Sequence, residues 1–326
     1  MSSRPPEFAD VEAAAKQISG HAVRTPLLDN RVLDEVTGRR IFLKPEMLQR
    51  SGSFKFRGAF NRLSRLTESE RKEGVVAWSS GNHAQGVAAA AALLGVPARI
   101  VMPADAPTIK RDNTLALGAE VISYDRYSED REAIARDLVA RDGGVLVPSY
   151  DDPFIIAGQG TAGLEIMADA QARGEDLDAL LVCCGGGGLT AGCVLAAQRL
   201  SPGTAVYAVE PEGYDDHARS LASGQRETVD ASRPSLCDAL LTPSPGRMTF
   251  AINEPHLAGV LVTSDAEVRA AMRFAFRELK LVVEPGGAVA LAALLAGKVP
   301  EQHRRVAVML SGGNVDPALF AEVVGS

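Results

Sequence analysis

Cysteine is scarce in this sequence, and it is not arranged for metal or redox work. The four residues are Cys183, Cys184, Cys193 and Cys237, and no two form a CxxC pair. Cys183 and Cys184 sit in an apolar, strand-like run. The expected state is buried free thiols in a reducing cytoplasm. The start, MSSRPPEFADVE, lacks the apolar core of a signal peptide. Basic excess is lacking too. Lys and Arg number 34 against 41 Asp and Glu, a net charge of −7 with no basic run. That argues against nucleic acid as the main partner. Two stretches, 179–198 and 74–98, carry no charge and are long enough to span a membrane. The first holds four consecutive glycines at its middle, and the second includes Ser79, Ser80, Asn82, His83, Gln85 and Pro97. Both read as buried segments of a soluble protein with no membrane partner. Neither a repeat nor a low-complexity segment is found.

What is present is an α/β rhythm. Strand candidates at 41–44, 75–78, 98–102 and 120–123 alternate with helix candidates at 87–94, 108–117 and 131–139. The rhythm returns with strands at 177–184, 206–210 and 306–310 and helices at 189–199, 267–279 and 288–295. Alternation of this kind implies parallel sheets covered on both faces. The expected fold class is α/β, two doubly wound lobes with a cleft between them. Ligands in such sheets bind beyond the carboxyl ends of the strands.

Four loops there carry the chemistry. In Ser51-Gly-Ser-Phe-Lys-Phe-Arg-Gly58, Lys55 lies between Phe54 and Phe56. Desolvation would lower its pKa and make it a nucleophile, and Arg57 would push the same way. Alone, it also reads as a surface lysine at a helix start. Ser79-Ser-Gly-Asn-His-Ala-Gln85 reads as a helix N-cap or as a carboxylate-binding loop. Cys184-Gly-Gly-Gly-Gly-Leu-Thr-Ala-Gly192 offers bare amides before a helix, which suits a phosphate. Gly186, Gly188 and Ala191, with Glu210 24 residues after Gly186, also fit a dinucleotide fingerprint. Ser311-Gly-Gly-Asn314 follows the last strand and alone is a plain strand exit.

In this order and at these separations the four loops resemble those of the pyridoxal-phosphate (PLP) enzymes of the tryptophan-synthase β fold, fold type II. Within them the chain resembles the serine/threonine dehydratase and serine racemase branch, from His21-Ala-Val-Arg-Thr-Pro26 to Ser311-Gly-Gly-Asn-Val-Asp316. The resemblance implies a large PLP-binding domain of 1–50 plus 145–326 and a small domain of 51–144. Lys55 matches the Schiff-base lysine, with Phe54 beside it. Asn82 matches the partner of the cofactor's 3′ oxygen. Gly185, Gly186, Gly187, Gly188 and Leu189 match the phosphate loop, Ser311 the partner of the pyridine nitrogen, and Glu284 a glutamate near the ring. Ser79, Ser80, Gly81, Asn82 and His83 match the loop that takes the substrate carboxylate. Glu210, the carbonyl of Tyr214 and Asp216 match a cation site for Mg²⁺ or Ca²⁺.

The implied activity is an ammonia-lyase acting on L-threonine or L-serine by α,β-elimination, in a cytoplasmic homodimer. Serine racemase and 3-hydroxyaspartate ammonia-lyase are the alternatives on the same scaffold. A nicotinamide dehydrogenase would leave Lys55 and Ser311 without roles. Ser80 points toward a racemase, where it would be the acid/base opposite the lysine, while Ala84-Gln-Gly86 looks more like a dehydratase. Cys237-Asp-Ala239, the unusual 240–246 segment after it and Gly286 also depart from the family pattern. They leave the β-substituent of the substrate open. The chain ends 15 residues after Ser311, so no regulatory domain is expected.

Overall fold

The computed structural model describes residues 4–79, 81–106, 108–125 and 127–325. Among them, ten strands form two sheets. They are β1 (Leu28–Asp29), β2 (Arg40–Pro45), β3 (Val75–Trp78), β4 (Ala98–Pro103), β5 (Glu120–Tyr124), β6 (Val145–Leu146), β7 (Ala179–Cys183), β8 (Ala205–Pro211), β9 (Gly259–Thr263) and β10 (Arg305–Leu310). The larger sheet has the order β1-β2-β10-β7-β8-β9, the smaller β5-β4-β3-β6. Every pairing is parallel except β1 with β2. The α/β fold is therefore the one expected, with one antiparallel edge added.

The apolar runs explain the placement. β7 is buried along its whole length and β10 along all but its first residue, as parallel strands covered on both faces should be. Each sheet has its own core. One contains Leu180, Val182, Val306 and Val308, and the other Phe56, Val75, Ile100 and the alanines of the Asn82–Leu94 helix.

The structure adds elements that the sequence reading did not name, such as the Phe8–Ile18 and Pro317–Gly325 helices and β9, and it differs in other ways. Val145 and Leu146 pair with Val75 and Val76, so the small lobe continues past 144. The helix expected at 87–94 begins at Asn82, because its first turn is the polar loop itself. The helix expected through 267–279 is α-helical over Asp265–Phe274 and widens to a π-turn over Ala275–Leu279, ended by Lys280 at φ +60°. The longest helix, Pro153–Ala172, has no counterpart in the sequence reading. Its glycines depress helix propensity. Yet Gly160 and Gly163 lie where a Cβ would strike Gly192 and Cys193 of the Gly188–Leu200 helix, so they serve close helix packing.

Candidate active site

The carboxyl ends of β3, β6, β7 and β10 open onto one cavity of about 480 Å³, which holds residues from all four sequence loops. That size is typical of a small-molecule site, roughly 300–1,000 Å³.

Lys55 is the first residue of the Lys55–Leu63 helix. Its ammonium donates to the Ser149 carbonyl at 2.8 Å and lies 5.1 Å from the Phe54 ring centroid. Burial lowers its pKa to about 8, with a small opposing pull from Cys183. Arg57 has no part in this. Its guanidinium turns into a buried network with Glu46, Glu165 and Thr161, and Lys44 joins at Glu165. Two carboxylates neutralise it, so the expected push on Lys55 is absent.

The loop ahead of Lys55 is clamped to the last strand's exit. Ser53 bridges Gly312, and the Phe54 amide donates to the Ser311 carbonyl at 3.1 Å. Asn314 Nδ2 donates to the Ser51 carbonyl at 2.8 Å and to Asn82 Oδ1 at 2.7 Å. Asn82 Nδ2 in turn donates to Glu284 Oε1. A Cβ on Gly312 would fall 2.2 Å from that oxygen, so a side chain there would displace the Glu284 carboxylate from Asn82. Three separate loops and Glu284 thus meet at one point. Glu284 is buried, its Oε2 has no hydrogen-bond partner among the described residues, and its carboxyl is pushed up to about 7, chiefly by burial. The Ser311 hydroxyl lies within the cavity against the Cys183 thiol.

Gly185, Gly186, Gly187, Gly188 and Leu189 line the cavity between β7 and the Gly188–Leu200 helix. Two carbonyls of this loop are pinned from the Arg247–Asn253 helix. Thr249 Oγ1 donates to the Gly186 carbonyl at 2.6 Å and Asn253 Nδ2 to that of Gly187 at 3.3 Å. Gly187 has φ +88°, and a Cβ there would lie 2.6 Å from His217 Nε2. The helix start that follows presents unpaired amides, the usual setting for a phosphate.

Ser79, Gly81, Asn82 and His83 also line the cavity; Ser80 lies outside the described residues. Ser79 Oγ accepts the Gly81 amide at 3.1 Å. His83 is buried and neutral, its pKa lowered to about 3 by burial and by Lys55. Nε2 donates to the Val147 carbonyl at 2.9 Å, which leaves only Nδ1, an acceptor. This ring therefore has no proton to offer a substrate carboxylate.

Glu210 and Asp216 come together as the resemblance implies, but His217 stands between them. Its Nδ1 is 3.2 Å from Glu210 Oε1 and 3.4 Å from Asp216 Oδ2. Burial raises both carboxyl pKa values. Although burial works against it, Cys184, Asp216 and Glu210 hold the His217 ring well above its ordinary value. Tyr214 is buried, with its hydroxyl at the Ala231 and Arg233 carbonyls.

Several cavity residues escaped the sequence reading. Lys110, on the Thr108–Ala116 helix of the small lobe, pairs with Asp238 of the large lobe and lies 3.9 Å from Glu284 Oε2. No motif surrounds it. Tyr150 and Gln159 pack against Gly186 and Gly188, and Arg131 reaches the cavity wall. The unusual segment after Asp238 lines the cavity through Leu240, Leu241, Thr242, Pro245 and Gly246.

The chain is similar over nearly all its length to known proteins. A family model described as "Pyridoxal-phosphate dependent enzyme" matches residues 18–312. The chain is 47% identical to an L-threo-3-hydroxyaspartate ammonia-lyase from Pseudomonas sp, covering 97% of this chain and 98% of that one. It is 41% identical to a serine racemase from Schizosaccharomyces pombe, covering 97% and 96%. Among solved structures, a maize serine racemase superimposes with a TM-score of 0.92 at 34% identity, covering 97% of this chain and 96% of that one.

Proposed function

The chain belongs to the pyridoxal-phosphate-dependent enzyme family and is a lyase within it, and from that premise we propose that it removes water, then ammonia, from a small L-β-hydroxy amino acid. The observation that carries this is Lys55. It is a buried amine with its pKa lowered to about 8, in one cavity with a bare-amide glycine loop and the Ser311 hydroxyl. These residues fit PLP. Lys55 would hold it, the Gly185–Leu189 amides its phosphate, Ser311 its ring nitrogen, and Asn82 its ring oxygen, with Glu284 and Phe54 alongside. Bound there, the cofactor supplies an electron sink for charge at Cα.

Lys55 then moves the Cα proton. The first-turn amides of the Asn82–Leu94 helix, with Ser79, Ser80 and Gly81, take the substrate carboxylate. The Ser311 hydroxyl does not force a proton onto the ring nitrogen as a carboxylate would, which favours prompt loss of the β-hydroxyl. The enamine released tautomerises and hydrolyses to a 2-oxo acid and ammonia.

For the substrate we favour L-threo-3-hydroxyaspartate ahead of L-serine and L-threonine. Arg131 is an exposed side chain in the cavity lining whose charge also acts on Asp130, and among the described residues no carboxylate lies within ion-pair distance of it. A second substrate carboxylate would suit it, and the Pseudomonas relative is named for that substrate. A panel of the three substrates, scored together for 2-oxo acid, ammonia and D-isomer, tests the assignment. Arg131→Ala should cut kcat/KM for hydroxyaspartate about ten-fold or more and barely change that for L-serine. Equal losses on both would overturn the dicarboxylate reading. D-serine formation that Ser80→Ala abolishes would instead make Ser80 the acid/base of a racemase.

We extend the reading to a divalent cation at Glu210 and Asp216, with the Tyr214 carbonyl, because among the described residues one imidazole ring, that of His217, balances these two buried carboxylates. Four buried free cysteines support a reducing cytoplasm, and exposed Phe276 and Val282 support a homodimer.

A further inference from the structure

Around the cavity the charges are unevenly committed. Three carboxylates line it, and each already has a partner. Glu132 lies 3.6 Å from Arg136, and Asp238 holds Lys110. Asp151 accepts the amides of Arg247, Met248 and Thr249. Arg131, Arg226 and Arg247 line the same cavity, and among the described residues no carboxylate lies within ion-pair distance of any of them. All three are exposed, and exposed residues that line a cavity stand at its mouth. The opening is thus bordered by two arginines of the large lobe and one of the small.

An independent observation fixes the two from the large lobe in place. Arg226 Nε donates to the Pro245 carbonyl at 2.7 Å, and the next residue, Gly246, donates its amide to the Gly186 carbonyl at 3.2 Å. The Arg247 amide is held on Asp151 at 3.0 Å. Both residues are therefore tied to the wall beside the glycine loop, although ordering an exposed arginine costs side-chain entropy. The chain as a whole carries −7, so this rim is cationic against an acidic background. Fields from like charges around a cleft add, and they raise the local concentration of a counter-charge about ten-fold or more at low salt.

We infer that Arg226 and Arg247, with Arg131, form a cationic rim that draws a small dicarboxylate into the cavity before it docks. This rests on the hydroxyaspartate reading above and adds the step of entry to it. L-threo-3-Hydroxyaspartate has two carboxylates and one ammonium, so it arrives as an anion. L-Serine and L-threonine arrive with no net charge and gain nothing from the rim. Selection between substrates thus begins at the mouth, through charge acting at range.

The test uses the PLP-loaded, full-length enzyme at ionic strengths from about 10 to 150 mM, over which the screening length falls from roughly 30 to 8 Å. The ratio of kcat/KM for hydroxyaspartate to that for L-serine should fall about three-fold or more across this range, with kcat steady. Arg226→Gln combined with Arg247→Gln should lower the ratio by a similar factor at low salt and flatten its salt dependence. Arg226→Glu combined with Arg247→Glu should reverse the dependence, so that the ratio rises with salt. Succinate, as an inhibitor of L-serine turnover, reads the rim separately. Its Ki should rise with salt in the wild type and lose that dependence in the Gln pair. If succinate behaves so while hydroxyaspartate is not turned over, the substrate reading fails and the attraction for dicarboxylates stands. Salt profiles that are flat for both probes would overturn the inference. Loss of bound PLP from the Gln pair, read by absorbance after dialysis, would overturn it too, by assigning these arginines to the cofactor phosphate. The wild-type salt profile decides even if a variant fails to fold.

Discussion

Lys55 and Glu284 illustrate how burial sets chemistry at single residues. Only the neutral amine of Lys55 can attack the cofactor's carbonyl, and burial brings its pKa from 10.5 to about 8. The rate at which PLP attaches to the apo chain should therefore rise with pH and reach half its plateau near pH 8. Stopped-flow absorbance would measure it, and a midpoint near 10.5 would show an exposed amine. Lys55→Ala should abolish turnover, and borohydride should no longer fix the cofactor to the 55–63 peptide, as mass spectrometry would read. Glu284 behaves in the opposite sense. With its carboxyl raised from 4.5 to about 7, the folded chain holds a proton between those pH values that the unfolded chain has released. The stability this group contributes is full below about pH 4.5 and is lost as pH rises through 7. Glu284→Gln keeps an acceptor for Asn82 without ionising. The apo variant should melt higher than wild type at pH 8, by at most about 3 kcal/mol in stability, with the gap closing toward pH 5. A gap that does not change with pH would show that Glu284 is ordinary.

Among elements, the loops matter more than the strands that end in them. The Gly312 turn brings Ser311, Glu284 and the Ser53 bridge into register. Gly312→Ala should force Glu284 aside and weaken PLP binding by ten-fold or more, read by dialysis, with the far-ultraviolet dichroism unchanged. Loss of the fold instead would mean that the turn is needed for the sheet itself. Each loop alone has a plain reading as a cap, a turn or a surface lysine, and it is their order and separations together that make them legible in the sequence. The Pro153–Ala172 helix is not, because its glycines make sense only once the Gly188–Leu200 helix packs against them. Arg57 misleads for a related reason. Two residues from Lys55 in sequence, it is committed to Glu46 and Glu165, which come from distant segments.

For the whole molecule, the two lobes are tied across the cavity by Lys110 and Asp238. Lys110→Met removes that tie and leaves Asp238 without its cation. It should raise KM for every amino acid substrate more than it lowers kcat, because it loosens the approach of the lobes and not the proton transfer at Lys55. Steady-state kinetics on the substrate panel would show this, and a loss confined to kcat would contradict it. Sequence patterning alone determined the α/β class, the two lobes and the loops that carry lysine, glycines, asparagine and serine, because periodicity and local turn chemistry are encoded by near neighbours. Only the tertiary structure decided that Asn82, Glu284 and Asn314 share one hydrogen-bonded junction, that His83 spends its proton on Val147, and that Cys184 and His217 join Glu210 behind the glycine loop. Those are contacts between residues far apart in the chain, and burial, which sets their charge and pKa, exists only after the chain has folded.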